Sequence, residues 1–179
     1  DRSPSRGLGD VYKRQPWVEA ARVTQTPYTL LIDGYSGAGK TTLALQIGHA
    51  LGIPVVHMDD FYPGWSGLAE GARIVAHSVL RTVNPGYQRW DWYQHRPGPW
   101  VRLDPQADLI VEGVGAVTAA SVRAAQLRGR VDTLRVELDA TARQQRAFMR
   151  DAHFAPYWQM WAAQEARLEQ VPVDVVVRG

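Results

Sequence analysis

The sequence predicts an α/β domain built on a parallel sheet, and three observations carry that prediction. Short, nearly continuous apolar runs alternate with stretches of helical spacing over one domain's length. A glycine-rich turn joins the first run to the first helical stretch, and acidic residues close the next two runs. The chain has 179 residues, 45% hydrophobic and 21% charged, enough apolar material to bury a core without staples. It contains no cysteine, which excludes a disulfide framework, a thiolate metal site and cysteine catalysis, and fits a reducing cytoplasm. No apolar run approaches the length of about 18 residues that a membrane span needs.

Each element follows in order. Tyr28 to Asp33 (YTLLID) reads as a strand buried on both faces, and Gly34 to Gly39 as a tight turn. Thr41 to Leu51 has helical spacing and is stopped by Gly52 and Pro54. Val55 to Met58 is a second strand, closed by Asp59 and Asp60. Leu68 to Val83 is expected to be helical, and residues 84–105, rich in Pro and Gly, irregular. Leu109 to Val111 is a third strand leading into Glu112 and Gly113, followed by a helix over Ser121 to Leu127. Thr133 to Leu138 is a fourth strand and Ala140 to Ala152 an Arg-rich helix capped by Asp139 or Thr141. A helix over Tyr157 to Gln170 and a fifth strand over Val173 to Val177 complete the chain.

The net charge of +2 points to no nucleic-acid partner. Residues 1–15 (DRSPSRGLGDVYKRQ) hold four basic and two acidic residues, and the remainder has 16 of each. That segment has no periodicity and resembles a translated adapter scar, so it is set apart as a non-native or disordered tail. Residues 16–179 are then one domain. His49, His57, His77 and His153 show no metal-ligand spacing.

The densest signal is Gly34-Tyr35-Ser36-Gly37-Ala38-Gly39-Lys40-Thr41, a complete G-x-x-x-x-G-K-[ST] between a strand and a helix. Its glycines let successive amides curl toward phosphate oxygens beside a helix N-terminus. Gly34, Ser36, Gly37, Ala38, Gly39, Lys40, Thr41 and Thr42 are therefore the predicted nucleotide-phosphate residues. Lys40 is the sole lysine after residue 15, in a chain that otherwise uses arginine. Thr41 is placed on Mg²⁺, and Glu112 is the second candidate for that ion.

GYSGAGKTT, then MDDFY, then VEGVG, then RQQRAFMRD together resemble the uridine kinase and phosphoribulokinase-like P-loop kinases over Thr29 to Val177. The resemblance implies a five-stranded parallel sheet in the order 2-3-1-4-5 with helices on both faces. It also implies ATP and Mg²⁺ as cofactors and transfer of the γ-phosphate to a hydroxyl, with uridine or cytidine the leading acceptor. Asp59 aligns with the catalytic aspartate and is the favoured base, with Asp60, standing where serine is usual, as the alternative. Arg143, Arg146 and Arg150 share one helical face in a lid over 140–156, and Arg146 and Arg150 are the expected charge stabilisers. Acceptor contacts are expected from Tyr62 and from Asp91, Tyr93, His95 and Arg96 in an insert over 84–105. The family's D-H-P-x-A-F-D string is absent, and RWDWYQHRPGPW stands in its place.

Two alternatives stay open. Another small acceptor on the same scaffold, a sugar, a vitamin precursor or a nucleoside monophosphate, is one; a monophosphate would need arginines such as Arg89, Arg96 and Arg102 to converge. The other is a nucleotide-dependent regulatory ATPase. No N-K-x-D motif supports a GTPase. The expected partner is a small molecule, with no nucleic acid or membrane.

Overall fold

The structure, a computed structural model, describes residues 26–179. The expected tail over 1–15 lies outside the described residues. Five strands form one parallel sheet: β1 (Tyr28–Asp33), β2 (Val55–His57), β5 (Leu109–Glu112), β6 (Arg130–Glu137) and β7 (Val175–Arg178). They lie in the order β2-β5-β1-β6-β7. Two strands outside this sheet, β3 (Gly86–Asp91) and β4 (Arg96–Arg102), take numbers that the sequence prediction did not allow for. Counting the sheet strands alone in chain order, the arrangement runs second, third, first, fourth, fifth.

β1 is central and pairs with β5 (Leu31 opposite Val111) and β6 (Ile32 opposite Leu134). All six of its residues are buried, which is why the run carries no polar alternation. Its side chains divide between two cores. Tyr28, Leu30 and Ile32 join Leu43, Ala44 and Leu51 of helix α1 (Lys40–Leu51), and Leu31 joins Val56, Val111 and the residues of the opposite face. Helices therefore cover both faces. The second face carries α2 (Leu68–Ile74), α3 (Ala119–Arg128) and α5 (Trp158–Glu165), while α4 (Ala140–Arg150) follows β6.

Helix boundaries follow local chemistry. α1 ends at Gly52, whose left-handed backbone (φ 66°) returns its N–H to the Gly48 carbonyl. Thr118 and Ser121 form a reciprocal capping box at the start of α3, and Asp139 caps α4 through the Ala142 N–H. The stretch expected as one helix over Leu68 to Val83 is shorter. After Ile74 it widens into a π turn (Val75–Val79) and ends at Leu80, ahead of Asn84 in a left-handed conformation. The last helix also stops early, at Glu165, and β7 begins two residues later than expected.

The largest difference lies in 84–105. This stretch forms an antiparallel ribbon of β3 (Gly86–Asp91) and β4 (Arg96–Arg102), with a bulge between Gln88 and Trp90. Pro97 and Pro99 argued against a strand there. A two-stranded ribbon leaves one edge of each strand unpaired, and prolines are tolerated on such an edge. Among the described residues, no helix is long and apolar enough to cross a membrane.

Candidate active site

The glycine-rich turn sits at the carboxyl end of β1. Gly37 (φ 78°) and Gly39 (φ 103°) take left-handed backbone that disfavours side chains, and a Cβ on Gly37 would collide with the Arg143 carbonyl. Lys40 is buried, and its Nζ donates to the Tyr35 carbonyl at 3.2 Å, arching back over the loop. A cavity of about 410 Å³ is lined by Gly37, Gly39, Lys40, Thr41, Thr42 and, from α4, Arg146 and Arg150. Three other predicted loop residues serve differently. The Ala38 N–H closes the turn on the Tyr35 carbonyl, Gly34 opens onto a separate pocket, and Ser36 faces an aromatic cleft.

At the mouth of the cradle the Thr41 hydroxyl donates to Glu112 Oε1 at 3.0 Å, and His57 Nδ1 lies 2.7 Å from the same oxygen. A hydroxyl and a carboxylate are hard oxygen donors that suit magnesium. The hydrogen bond to Glu112 holds the His57 pKa above its usual value, opposed by partial burial. Gly113, next in the chain, has no room for a Cβ because Met58 packs against it. That close approach brings the Met58–Asp60 turn beside the end of β5.

The two aspartates of this turn separate cleanly. Asp60 accepts from Arg89 at 3.2 Å, and from the Tyr87 hydroxyl at 3.5 Å, so it fastens the ribbon to the sheet. No hydrogen bond or ion pair engages the Asp59 carboxylate among the described residues. Asp59 opens onto the cleft, while protein encloses it on its other sides. That enclosure, and then repulsion from Glu112, raise its pKa; Lys40, Arg150 and His57 pull the other way. A carboxylate so placed is suited to accept a proton.

The cleft beside Asp59 has a volume of about 430 Å³ and is walled by Tyr62, Trp65, Trp92, Phe154 and Trp161. Trp65 stacks on Tyr157 (centroids 4.3 Å, 7°) and on Phe154 (5.3 Å, 13°), and Trp161 meets Tyr62 edge-on at 5.0 Å. The Trp92 indole N–H donates to the Asp59 carbonyl at 2.8 Å. Tyr62 is buried with its hydroxyl on the Val114 carbonyl, and burial raises its pKa, so it remains a phenol.

The α4 arginines divide along their shared face. Arg146 lines the cradle, with Nη1 3.9 Å from where a Gly39 Cβ would stand. Arg150 lines both the cradle and the aromatic cleft. Arg143 is a brace: it lies over the Tyr35 ring at 5.1 Å and donates to the Ser36 carbonyl at 3.2 Å.

Four predicted acceptor residues fall outside the cleft. Asp91 caps the ribbon turn by accepting the Tyr93 and Gln94 N–H groups. Tyr93 is 93% exposed, and His95 and Arg96 are exposed beyond it. Their neighbour Trp92 instead lines the cleft, a choice that sequence adjacency could not make.

Other residues escaped the sequence prediction. Asp33 is buried and accepts three backbone N–H groups, from Gly34, Gly115 and Val117, tying the start of the loop to the segment after β5. Glu165 is 3% exposed, accepts the Ser36 N–H at 2.7 Å and lies 3.6 Å from Arg143. Its signal was present: Trp158, Trp161 and Glu165 stand at i, i+3 and i+7, an acid on an apolar face. Among the described residues no His, Asp and Glu cluster of metal-binding kind occurs.

Solved structures share this architecture. A sugar kinase from Janibacter sp. HTCC2649 matches with a TM-score of 0.52 at 19% identity, over 86% of this chain and 85% of that one. A structure described as a possible uridine kinase, from Bacillus stearothermophilus, matches with a TM-score of 0.52 at 21% identity, over 93% of this chain and 98% of that one. Neither a protein-family model nor a curated protein sequence matches the chain. The likeness is one of fold.

Proposed function

We propose that this protein is an ATP-dependent kinase that transfers the γ-phosphoryl group to a hydroxyl of a small acceptor held in the aromatic cleft. The observation that carries this is Arg150, which lines the phosphate cradle and the cleft together, with Asp59 lining the cleft from the turn that follows β2. A phosphoryl group leaving one cavity for the other passes this guanidinium.

In the proposed reaction Lys40 and the amides around Gly39 hold the phosphates, and Arg146 and Arg150 neutralise charge as the bond to the leaving oxygen lengthens. Thr41 and Glu112 would hold magnesium, which would supply positive charge to offset that of the phosphates. Asp59 accepts the hydroxyl proton. The separate pocket of about 490 Å³ lined by Gly34, Tyr35, Leu138, Asp139, Arg143 and Gln170 is our site for the nucleotide base.

A nucleoside such as uridine or cytidine is the acceptor that the motif resemblance favours, its base set among the rings. A sugar is the second reading, favoured by carboxylates beside aromatic rings in the same cleft. A nucleoside monophosphate lacks support: Arg89 is engaged by Asp60, and Arg96 and Arg102 do not line the cleft.

The test is ADP release with Mg·ATP against nucleosides, nucleoside monophosphates and sugars, with Lys40→Ala as the blank. A Lys40-dependent rise with one acceptor class is the expected result. Slow Lys40-dependent hydrolysis that no acceptor accelerates would point instead to the regulatory ATPase.

A further inference from the structure

The charges around the aromatic cleft are unequal, and each has a separate assignment. Three carboxylates line it, Asp59, Asp60 and Asp151, against one guanidinium, Arg150. No lysine or histidine is among the lining residues. Asp60 is neutralised from outside by Arg89. Arg150 also faces the cradle, where phosphates are its counter-charge. Asp59 is the proton acceptor of the proposed reaction. Asp151 is left over: one oxygen accepts the His153 N–H at 2.9 Å, and the other has no partner among the described residues.

The rings add a second, independent preference. Trp65 is taken up by its stacking on Tyr157 and Phe154, whereas Trp92 meets it at a tilt of 53° and lines the cleft. The face of an indole is electron-rich and attracts cations. An unpaired carboxylate and an indole face in one cleft favour a positive ligand group, and the same carboxylates repel phosphate or carboxylate groups on an acceptor.

We infer that the preferred acceptor carries a protonated amine besides its hydroxyl, of the amino-sugar or amino-alcohol kind, with the ammonium between Asp151 and Trp92 and the hydroxyl at Asp59. This rests on the kinase reading above and narrows its acceptor. The hydroxyl oxygen bonds to the γ-phosphorus as the bond from that phosphorus to the ADP oxygen breaks, and the hydroxyl proton passes to Asp59. The ammonium keeps its protons and anchors the substrate.

The experiment uses the full chain and acceptor pairs that differ in one amine: glucosamine against glucose, and ethanolamine against ethylene glycol, with uridine monophosphate as the anionic control. Lys40-dependent ADP release should favour the amine member by about tenfold or more in kcat/KM, the scale of a charge-assisted contact. Asp151→Asn keeps an oxygen for the His153 N–H, so the fold is retained, and it should collapse that preference through KM. Equal or better use of the neutral member, with ADP release still Lys40-dependent, would overturn the amine inference and leave the kinase standing. Tryptophan fluorescence titration with the same pairs gives a readout free of turnover. Asp151-dependent binding of the amines without any acceptor-stimulated ADP release would remove the kinase reading and keep the cationic site. Failure of the amines to bind more tightly than their neutral partners would overturn the site itself.

Discussion

The phosphate cradle and the acceptor cleft meet at Arg150 yet are built in opposite ways. The cradle is built mainly from one stretch of chain, Gly37 to Thr42, with Arg146 and Arg150 added from α4, and relies on backbone conformations that glycine makes accessible. The cleft is assembled from side chains on the Met58–Asp60 turn, the loop after it, the ribbon, the end of α4 and α5. Phosphate is the same in every nucleotide and can be gripped by main-chain amides. An acceptor is particular, and side chains from distant parts of the chain must converge on it.

The sharpest way to probe that contrast is at the junction. Asp59→Asn should lower turnover by about 10²–10⁴, the usual worth of a positioned proton acceptor, with little change in ATP affinity. In the parent, log kcat/KM against pH should fall as pH drops through the Asp59 pKa, at a pH above the ordinary carboxylate range, because enclosure and Glu112 raise that value. Asp59→Asn should abolish this acid limb. The same raised pKa means that ionised Asp59 costs stability, which falls as pH rises through it, so Asp59→Asn should melt higher than the parent at neutral pH. A variant of unchanged turnover would remove Asp59 from the chemistry.

On the cradle side, Lys40→Ala should lose about 10²–10³ in kcat with every acceptor alike, since the lysine acts on phosphate alone. Selective loss with one acceptor would blur the division drawn here. Glu165→Gln tests whether the cradle depends on a distant helix. Glutamine keeps an acceptor for the Ser36 N–H but removes the charge beside Arg143, and KM for ATP should rise about tenfold with kcat less affected. Glu165→Ala, which leaves the Ser36 N–H without its acceptor and the part-buried Arg143 without its carboxylate, should cost about 1–3 kcal/mol in denaturant unfolding. The smallest effect belongs to the ribbon. Arg89→Ala frees Asp60 and should raise KM for the acceptor severalfold while ATP KM stays fixed, given an ion pair that is half exposed.

This contrast also explains what the sequence disclosed. β1 was legible because it is buried on both faces, and the loop because its glycines, Lys40 and Thr41 are contiguous. Asp59 and Glu112 were legible as carboxylates at strand ends, where open α/β sheets place ligands. The different engagement of Asp59 and Asp60 was hidden because it depends on Arg89, 29 residues on from Asp60. The ribbon was hidden by Pro97 and Pro99, and with it the place of Trp92 in the cleft wall beside the exposed Tyr93. Glu165 was hidden because its partner, the Ser36 amide, lies 129 residues away.

The ribbon's fastening has a wider consequence. β3 and β4 pair with each other and share no ladder with the parallel sheet. They hold to the body through Arg89 on Asp60, the buried Tyr87, the Trp92 indole, the Ser78 hydroxyl on the Gly86 carbonyl and the residues that flank them. Such an appendage behaves as a cassette. Its sequence and length can drift, or be exchanged in the laboratory, without a single change of register in the five strands that carry the cradle. On the proposed kinase reading, the phosphoryl donor would be fixed by the scaffold, while the identity of the recipient would be free to be rewritten.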